Sequence, residues 1–179
     1  MKIAQSDTRD KFPLSTRKVI KKTLSFSIIW GIIFLIGFIM TCLSFAGGDG
    51  SVSALIVTLV GLSIVLLLII FLTYLYQKWY FSVYYYDLGK DYVVIKKGPI
   101  TPQEITIPYE RVQDVYVDQD LLDRLFGLYD VHLSSATISS GMEAHIDGVE
   151  KTAADGLKAM LLATVSERIS KKKLPTNNI

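Results

Sequence analysis

The stretch Ile105-Thr106-Ile107-Pro108-Tyr109-Glu110-Arg111-Val112-Gln113-Asp114-Val115-Tyr116-Val117 decides the fold. Ile105 and Ile107 alternate with polar neighbours, and Val115 and Val117 resume the alternation. Between them Pro108 cannot donate to a strand ladder. The stretch therefore reads as two short strands joined by a bend. It lies after the last long apolar run, in the part of the chain that can fold in water.

Upstream the chain is built for a membrane. Half of its 179 residues are apolar, and the mean hydropathy is +0.37, too apolar for an ordinary soluble domain. No charge occurs between Lys22 and Asp49, and none between Asp49 and Lys78. Leu24 to Phe45 would span roughly 33 Å as a helix, enough for a hydrocarbon core of about 30 Å. A cleaved signal segment ending at Ser44-Phe45-Ala46 is the competing reading, but signal cores are only about 7–15 residues long. Val52 to Tyr76 is a second charge-free run. The short, glycine-rich connection makes the pair an antiparallel hairpin. Trp79, Tyr80 and Phe81, with Tyr74 and Tyr76, read as an aromatic belt that overlaps the start of a strand.

The flanking charges orient the hairpin. Residues 1–23 read as a mobile, basic, unpatterned tail. Arg17, Lys18, Lys21 and Lys22 precede the first span and Lys78 follows the second, while the loop between them holds Asp49. The positive-inside rule then puts both termini in the cytoplasm of a multi-pass protein of the cell membrane. These five basic residues either set topology alone or also meet the anionic inner leaflet, at about 1 kcal/mol each.

Downstream, residues 78–170 form one small domain, followed by a tail over 171–179. From Lys78 onward, 12 basic residues face 14 acidic ones, which argues against a nucleic-acid binder. Phe81, Val83 and Tyr85 are expected on one face of a first strand, and Asp87 to Asp91 in a hairpin turn. Tyr92 to Lys97, Gln103 to Ile107 and Val112 to Val117 follow as strands. Asp118 to Gly127 reads as one or two helical turns closed by glycine, with Leu121, Leu122, Leu125 and Phe126 buried. Tyr129, Val131 and Leu133 alternate with Asp130, His132 and Ser134 as a half-buried strand, and Met142 to Asp147 as another after a turn at Ser139-Ser140-Gly141. A helix from Glu150 to Ile169 presents Ala153, Leu157, Met160, Leu161, Val165 and Ile169 on one face. Gly156 inside it costs roughly 1 kcal/mol relative to alanine. Lys171 to Lys173 suit the negative end of its dipole.

Lys97-Gly98-Pro99-Ile100, Ile107-Pro108, Arg111-Val112-Gln113-Asp114-Val115 and Leu121-Leu122-Asp123-Arg124-Leu125-Phe126-Gly127-Leu128 together resemble the bacterial pleckstrin-homology-like domain family of YdbS-like membrane proteins. The resemblance covers about residues 79–170, and a preceding pair of transmembrane helices is usual there. It implies two transmembrane helices followed by an α+β pleckstrin-homology-like β-sandwich or barrel, capped by a C-terminal helix. It implies no enzyme and no cofactor. Arg111, Gln113 and Arg124 are its polar motif members, and either satisfy backbone groups inside the fold or line a site. Lys96 and Lys97 join them as a candidate ligand or partner surface. Eukaryotic phosphoinositide-binding members carry a basic first hairpin, whereas Asp87-Leu88-Gly89-Lys90-Asp91 is as acidic as it is basic.

Other constellations are weaker. Asp130, His132, Glu143, His145 and Asp147 could share one hairpin face, where imidazole and carboxylate can hold zinc or move protons. An ordinary solvated face requires the same pattern. Asp114, Asp118, Asp120 and Asp123 lack the glycine and closing glutamate of a calcium loop. Cys42 is the single cysteine, so neither an intrachain disulfide nor a cysteine-based zinc site can form. The spans hold no other ionisable group, which argues against transport. The expected function is a non-enzymatic interaction or scaffolding module. Its partners would be the lipids around the spans and another membrane protein or a second copy of itself. A lipid-headgroup sensor is the alternative. Envelope maintenance and stress response are the processes such a family suggests.

Overall fold

The computed structural model describes residues 6–48, 51–135 and 144–173, with side chains through residue 170. The chain divides into two compact units, one holding the segment up to Lys18 and the chain from Tyr80 on, the other Val19–Trp79.

The second unit consists of the greater part of two long helices, whose outer ends belong to the first. Helix α2 covers Arg17–Ala46 and α3 covers Val52–Val83. Both are long and apolar enough to cross a membrane, and their most apolar windows are wholly unburied. Side chains such as Ile29, Ile36, Leu67 and Phe71 stand more than half exposed, a surface suited to hydrocarbon rather than water. The few hydroxyls in these runs satisfy themselves on the helix: Thr41 donates to Gly37 O at 2.8 Å and Ser63 to Leu59 O at 2.8 Å.

Both helices exceed their expected bounds. Nothing between Tyr76 and Val83 breaks a helix, so α3 carries Trp79, Tyr80 and Phe81 instead of yielding them to a strand. Strand β1 is Tyr85–Leu88. The buried residues here are Tyr84 and Tyr86, the opposite parity from the Phe81, Val83 and Tyr85 face expected from alternation.

The first unit holds two antiparallel three-stranded meanders, β1-β2-β3 and β4-β5-β6. Strands β2 (Tyr92–Lys97) and β3 (Gln103–Pro108) pair Val93 with Ile107 and Ile95 with Ile105. Tyr86, Val93, Ile95 and Ile107 enter the core from this sheet. Pro108 ends β3, and a 3-10 turn at Tyr109–Arg111 leads into β4 (Val112–Asp118). A bulge between Val112 and Asp114 explains why Val112 and Val115, three apart, are both buried. Strands β5 (Leu128–Ser135) and β6 (Ala144–Glu150) complete the second sheet. Helix α5 (Lys151–Lys173) packs on that sheet through Ala153, Ala154, Leu157, Leu161 and Val165. Met160 is half-buried, and Ile169 lies exposed beyond the packed turns. The Ser139-Ser140-Gly141 turn, Glu143, the 174–179 tail and the loop residue Asp49 lie outside the described residues.

The N-terminal segment overturns the expected mobile tail. Asp7–Lys11 forms helix α1, capped by the Ser6 side chain. Ser6 Oγ donates to Tyr86 O at 2.8 Å, and Leu88 N donates to Thr8 Oγ1 at 3.1 Å. Leu14 bridges Val149 of β6 and joins the core. The segment thus adds polar partners to the β1 edge and an apolar anchor beside β6, two needs that β1 and β6 as terminal strands leave open.

Candidate functional site

A buried cluster of polar groups lies where the N-terminal segment crosses β6. Strand β6 carries a bulge, since Tyr129 pairs with Val149 while Val131 pairs with Ile146. Gly148 takes φ 79, a conformation that a side chain would strain. Its N–H donates to Asp130 Oδ1 at 2.7 Å. The extra residue reverses the alternation and turns Asp147 inward. The expected solvated position is therefore corrected: Asp147 is buried, and does not join Asp130, His132 and His145 on one outer face.

Asp147 meets Lys18. The ammonium lies 2.8 Å from Asp147 Oδ1 and donates to Asp147 O at 3.0 Å, with both side chains under a tenth exposed. It also sits 3.8 Å from the centroid of the Tyr84 ring, a favourable cation–π geometry. The Tyr84 hydroxyl donates to His145 O at 3.0 Å. Burial, reinforced by the Asp147 carboxylate, holds the Tyr84 hydroxyl well above the ordinary tyrosine range. The Lys18 stem runs through the space that a Cβ on Gly148 would occupy, with approaches of 2.6–2.9 Å. Lys18, expected as a membrane-flanking charge, is thus an internal ion-pair member. The sequence signal was a glycine inside an alternating strand, which marks a bulge.

The remaining basic flank is mixed. Arg17 and Lys78 are exposed, Lys22 is half-buried and Lys21 is buried. Arg17 donates from Nη1 to Phe126 O at 3.4 Å. The candidate surface residues do not converge. Arg111, Gln113 and Arg124 are all exposed, because the 3-10 turn, the bulge and helix α4 (Leu121–Phe126) turn them outward. Lys97 pairs with Gln103 at one end of the β2–β3 hairpin, while Arg111 follows Pro108 at the other. Five residues of strand separate the two ends, about 17 Å. Lys96 is matched by Glu104 at 3.1 Å.

The acidic residues serve as local fasteners. Asp120 and Asp123 form a capping box on α4, with Asp123 N donating to Asp120 Oδ1 at 2.6 Å. Gly127 ends that helix at φ 66 and ψ 33. Asp123 is buried, whereas Leu121 and Leu125 are 84% and 72% exposed. The expected buried side is therefore corrected at Leu121 and Leu125, because the capping box commits Asp123 inward, while Leu122 and Phe126 are half-buried. Asp118, Asp130 and His132 offer ligand atoms within 4.8 Å of one another. His132 Nε2 lies 3.1 Å from Asp118 Oδ1, and its ring stacks on Tyr116 at 4.8 Å and on His145 at 5.3 Å. With Asp130 committed to Gly148, these contacts form a stacked sheet face.

Comparison with known proteins matches the family described as bacterial PH domain over residues 28–165. The match runs from inside α2 to inside α5. No curated protein and no solved structure matches the chain.

Proposed function

The chain belongs to the bacterial PH domain family, and on that premise we propose that it is an integral membrane protein whose PH-like unit is a non-enzymatic interaction module. The unit faces the cytoplasm, as the basic flanks of the two spans direct. It engages another membrane protein or a second copy of this chain, and acts as a scaffold beside the bilayer.

The observation that carries this reading is the Lys18–Asp147–Tyr84 node. Lys18 lies at the start of α2, and Tyr84 directly follows α3. The two stretches of chain that lead into and out of the apolar helices therefore meet inside the domain core. Contacts that pin both chain connections within the folded unit pre-organise that unit's own surface, as a docking module requires. The spread of Lys96, Lys97, Arg111 and Arg124 over separate ends of the sheets favours protein contact over a headgroup pocket, which needs convergent cations.

Photocrosslinking in intact membranes tests the proposal, with a photoreactive residue replacing Lys97, Arg111, Gln113 or Arg124 in turn. Discrete adducts the size of two copies, or of this chain with one other protein, are expected at one or more positions. Adducts with lipid alone at every position would replace the interaction module by the headgroup sensor.

A further inference from the structure

Helix α4 turns an apolar, basic face to solvent. Leu121 and Leu125 lie four apart, so their side chains share one side of the helix, and they are 84% and 72% exposed. Arg124 is exposed beside them. The capping box fixes this choice of faces by burying Asp123.

The chain limits how far this face can lie from a bilayer. Arg17 donates to Phe126 O, the carbonyl end of α4, where a cation also suits the helix dipole. Arg17 is equally the first residue of α2, which continues unbroken to Ala46. The charge-free run begins at Leu24, seven residues on, or about 10 Å along the helix. Headgroup layers add about 5–7 Å on each side of the hydrocarbon core. Arg17 is thereby held no more than about 3–5 Å beyond the headgroup layer, and the carbonyl end of α4 that it bonds stays within one side-chain length of that point. Two leucines flanked by arginines match that layer, where apolar side chains reach the acyl boundary and cations meet anionic lipid.

We propose that Leu121 and Leu125, with Arg124 and Arg17 beside them, form a wedge that inserts into the interface of the bilayer the chain itself spans. The proposal rests on the membrane-spanning reading of α2 and α3. It gives α4 a second foothold on the membrane.

Full-length protein in vesicles of mixed zwitterionic and anionic lipid decides the matter. An environment-sensitive fluorophore is attached to Leu121→Cys or Leu125→Cys in a Cys42→Ser background, to Glu104→Cys as a solvent control, and to native Cys42 as a reporter of the spans. Nitroxide lipids serve as quenchers. The expected result is blue-shifted emission at 121 and 125, quenched more by a nitroxide near the glycerol level than by one at the chain end, with the 104 label unquenched. Labels at 121 and 125 that behave like the 104 label, while Cys42 is quenched, would overturn the wedge and leave the spans standing. An unquenched Cys42 would remove the spanning reading and the wedge with it. Shielding at 121 and 125 that appears only as the protein-to-lipid ratio rises would assign the face to a second copy and also overturn the wedge.

Discussion

Replacing Lys18 by methionine keeps the aliphatic stem against Gly148 and removes the ammonium. Asp147 is then left as a buried carboxylate, its side chain 8% exposed, and Tyr84 loses its cation. Removing one partner of a buried pair costs about 3–5 kcal/mol, because the other charge remains desolvated. A small domain holds only about 5–15 kcal/mol in total, so the variant gives up a large share. Asp147→Asn is expected to lose a similar amount by stranding the ammonium. Hydrogen exchange of full-length protein in micelles reads the effect, followed on the amides of β5 and β6. The expected acceleration is roughly 100- to 4,000-fold, up to the limit set by global opening. Lys11→Met, at an exposed position, serves as the control and is expected to change exchange little. Rates in Lys18→Met within about threefold of the parent would refute the reasoning, since that is less than 1 kcal/mol.

Three further outcomes follow from the same core. Gly156→Ala ordinarily gains helix stability, but here the added Cβ would lie 2.3 Å from the Phe12 ring; a loss of about 1–3 kcal/mol is expected from overpacking, with thermal unfolding as the measurement and Phe12→Leu as the relieving second change. Leu14→Ala is expected to cost about 2–5 kcal/mol, and a fragment beginning at Trp79 to unfold more readily than one that also carries residues 6–18, as denaturant titration would show. Burial pushes the Tyr109 hydroxyl up to about 12, while an unfolded tyrosine ionises near 10. Between about pH 10 and 12 the unfolded state therefore holds fewer protons, so stability is flat below about pH 10 and falls as pH rises through that window. Burial also raises the Tyr86 hydroxyl, which makes the fall steeper in an alkaline circular-dichroism titration.

Apolar runs and period-two alternation made the long helices and most strands legible, because those signals depend on neighbours close in sequence. Reading failed where a contact from a distant segment decides. The β6 bulge reversed Asp147 at one residue, and its partner Lys18 lies 129 positions away. Leu14 looked like part of a tail because one leucine in a polar segment has no period. Leu121 and Leu125 looked buried because a leucine-rich turn normally is; the Asp120–Asp123 capping box, itself visible in the sequence, was the competing local instruction. Arg111, Gln113 and Arg124 were legible as motif members, but their scattering over opposite sheet ends follows from the register of β2–β3 and β4–β5.

The Lys18–Asp147 pair also bears on why a charge is kept in that position at all. Apolar residues of similar volume usually serve stability as well as a buried ion pair, or better. What they lack is a unique partner. Leu14 could slide along apolar neighbours at small cost, whereas Lys18 satisfies its ammonium only where Asp147 Oδ1, Asp147 O and the Tyr84 ring converge. The pair therefore fixes the register in which the start of α2 docks on β6. The double variant Lys18→Met/Asp147→Leu separates the two contributions. It is expected to regain most of the stability that Lys18→Met alone loses, while the docking register loosens. Spin labels at the exposed positions Thr16 and Lys151 would report this as a broadened distance distribution in the double variant. Recovered stability with an unchanged distribution would show that Leu14 and the α1 contacts set the register by themselves, and that the charges add nothing to it.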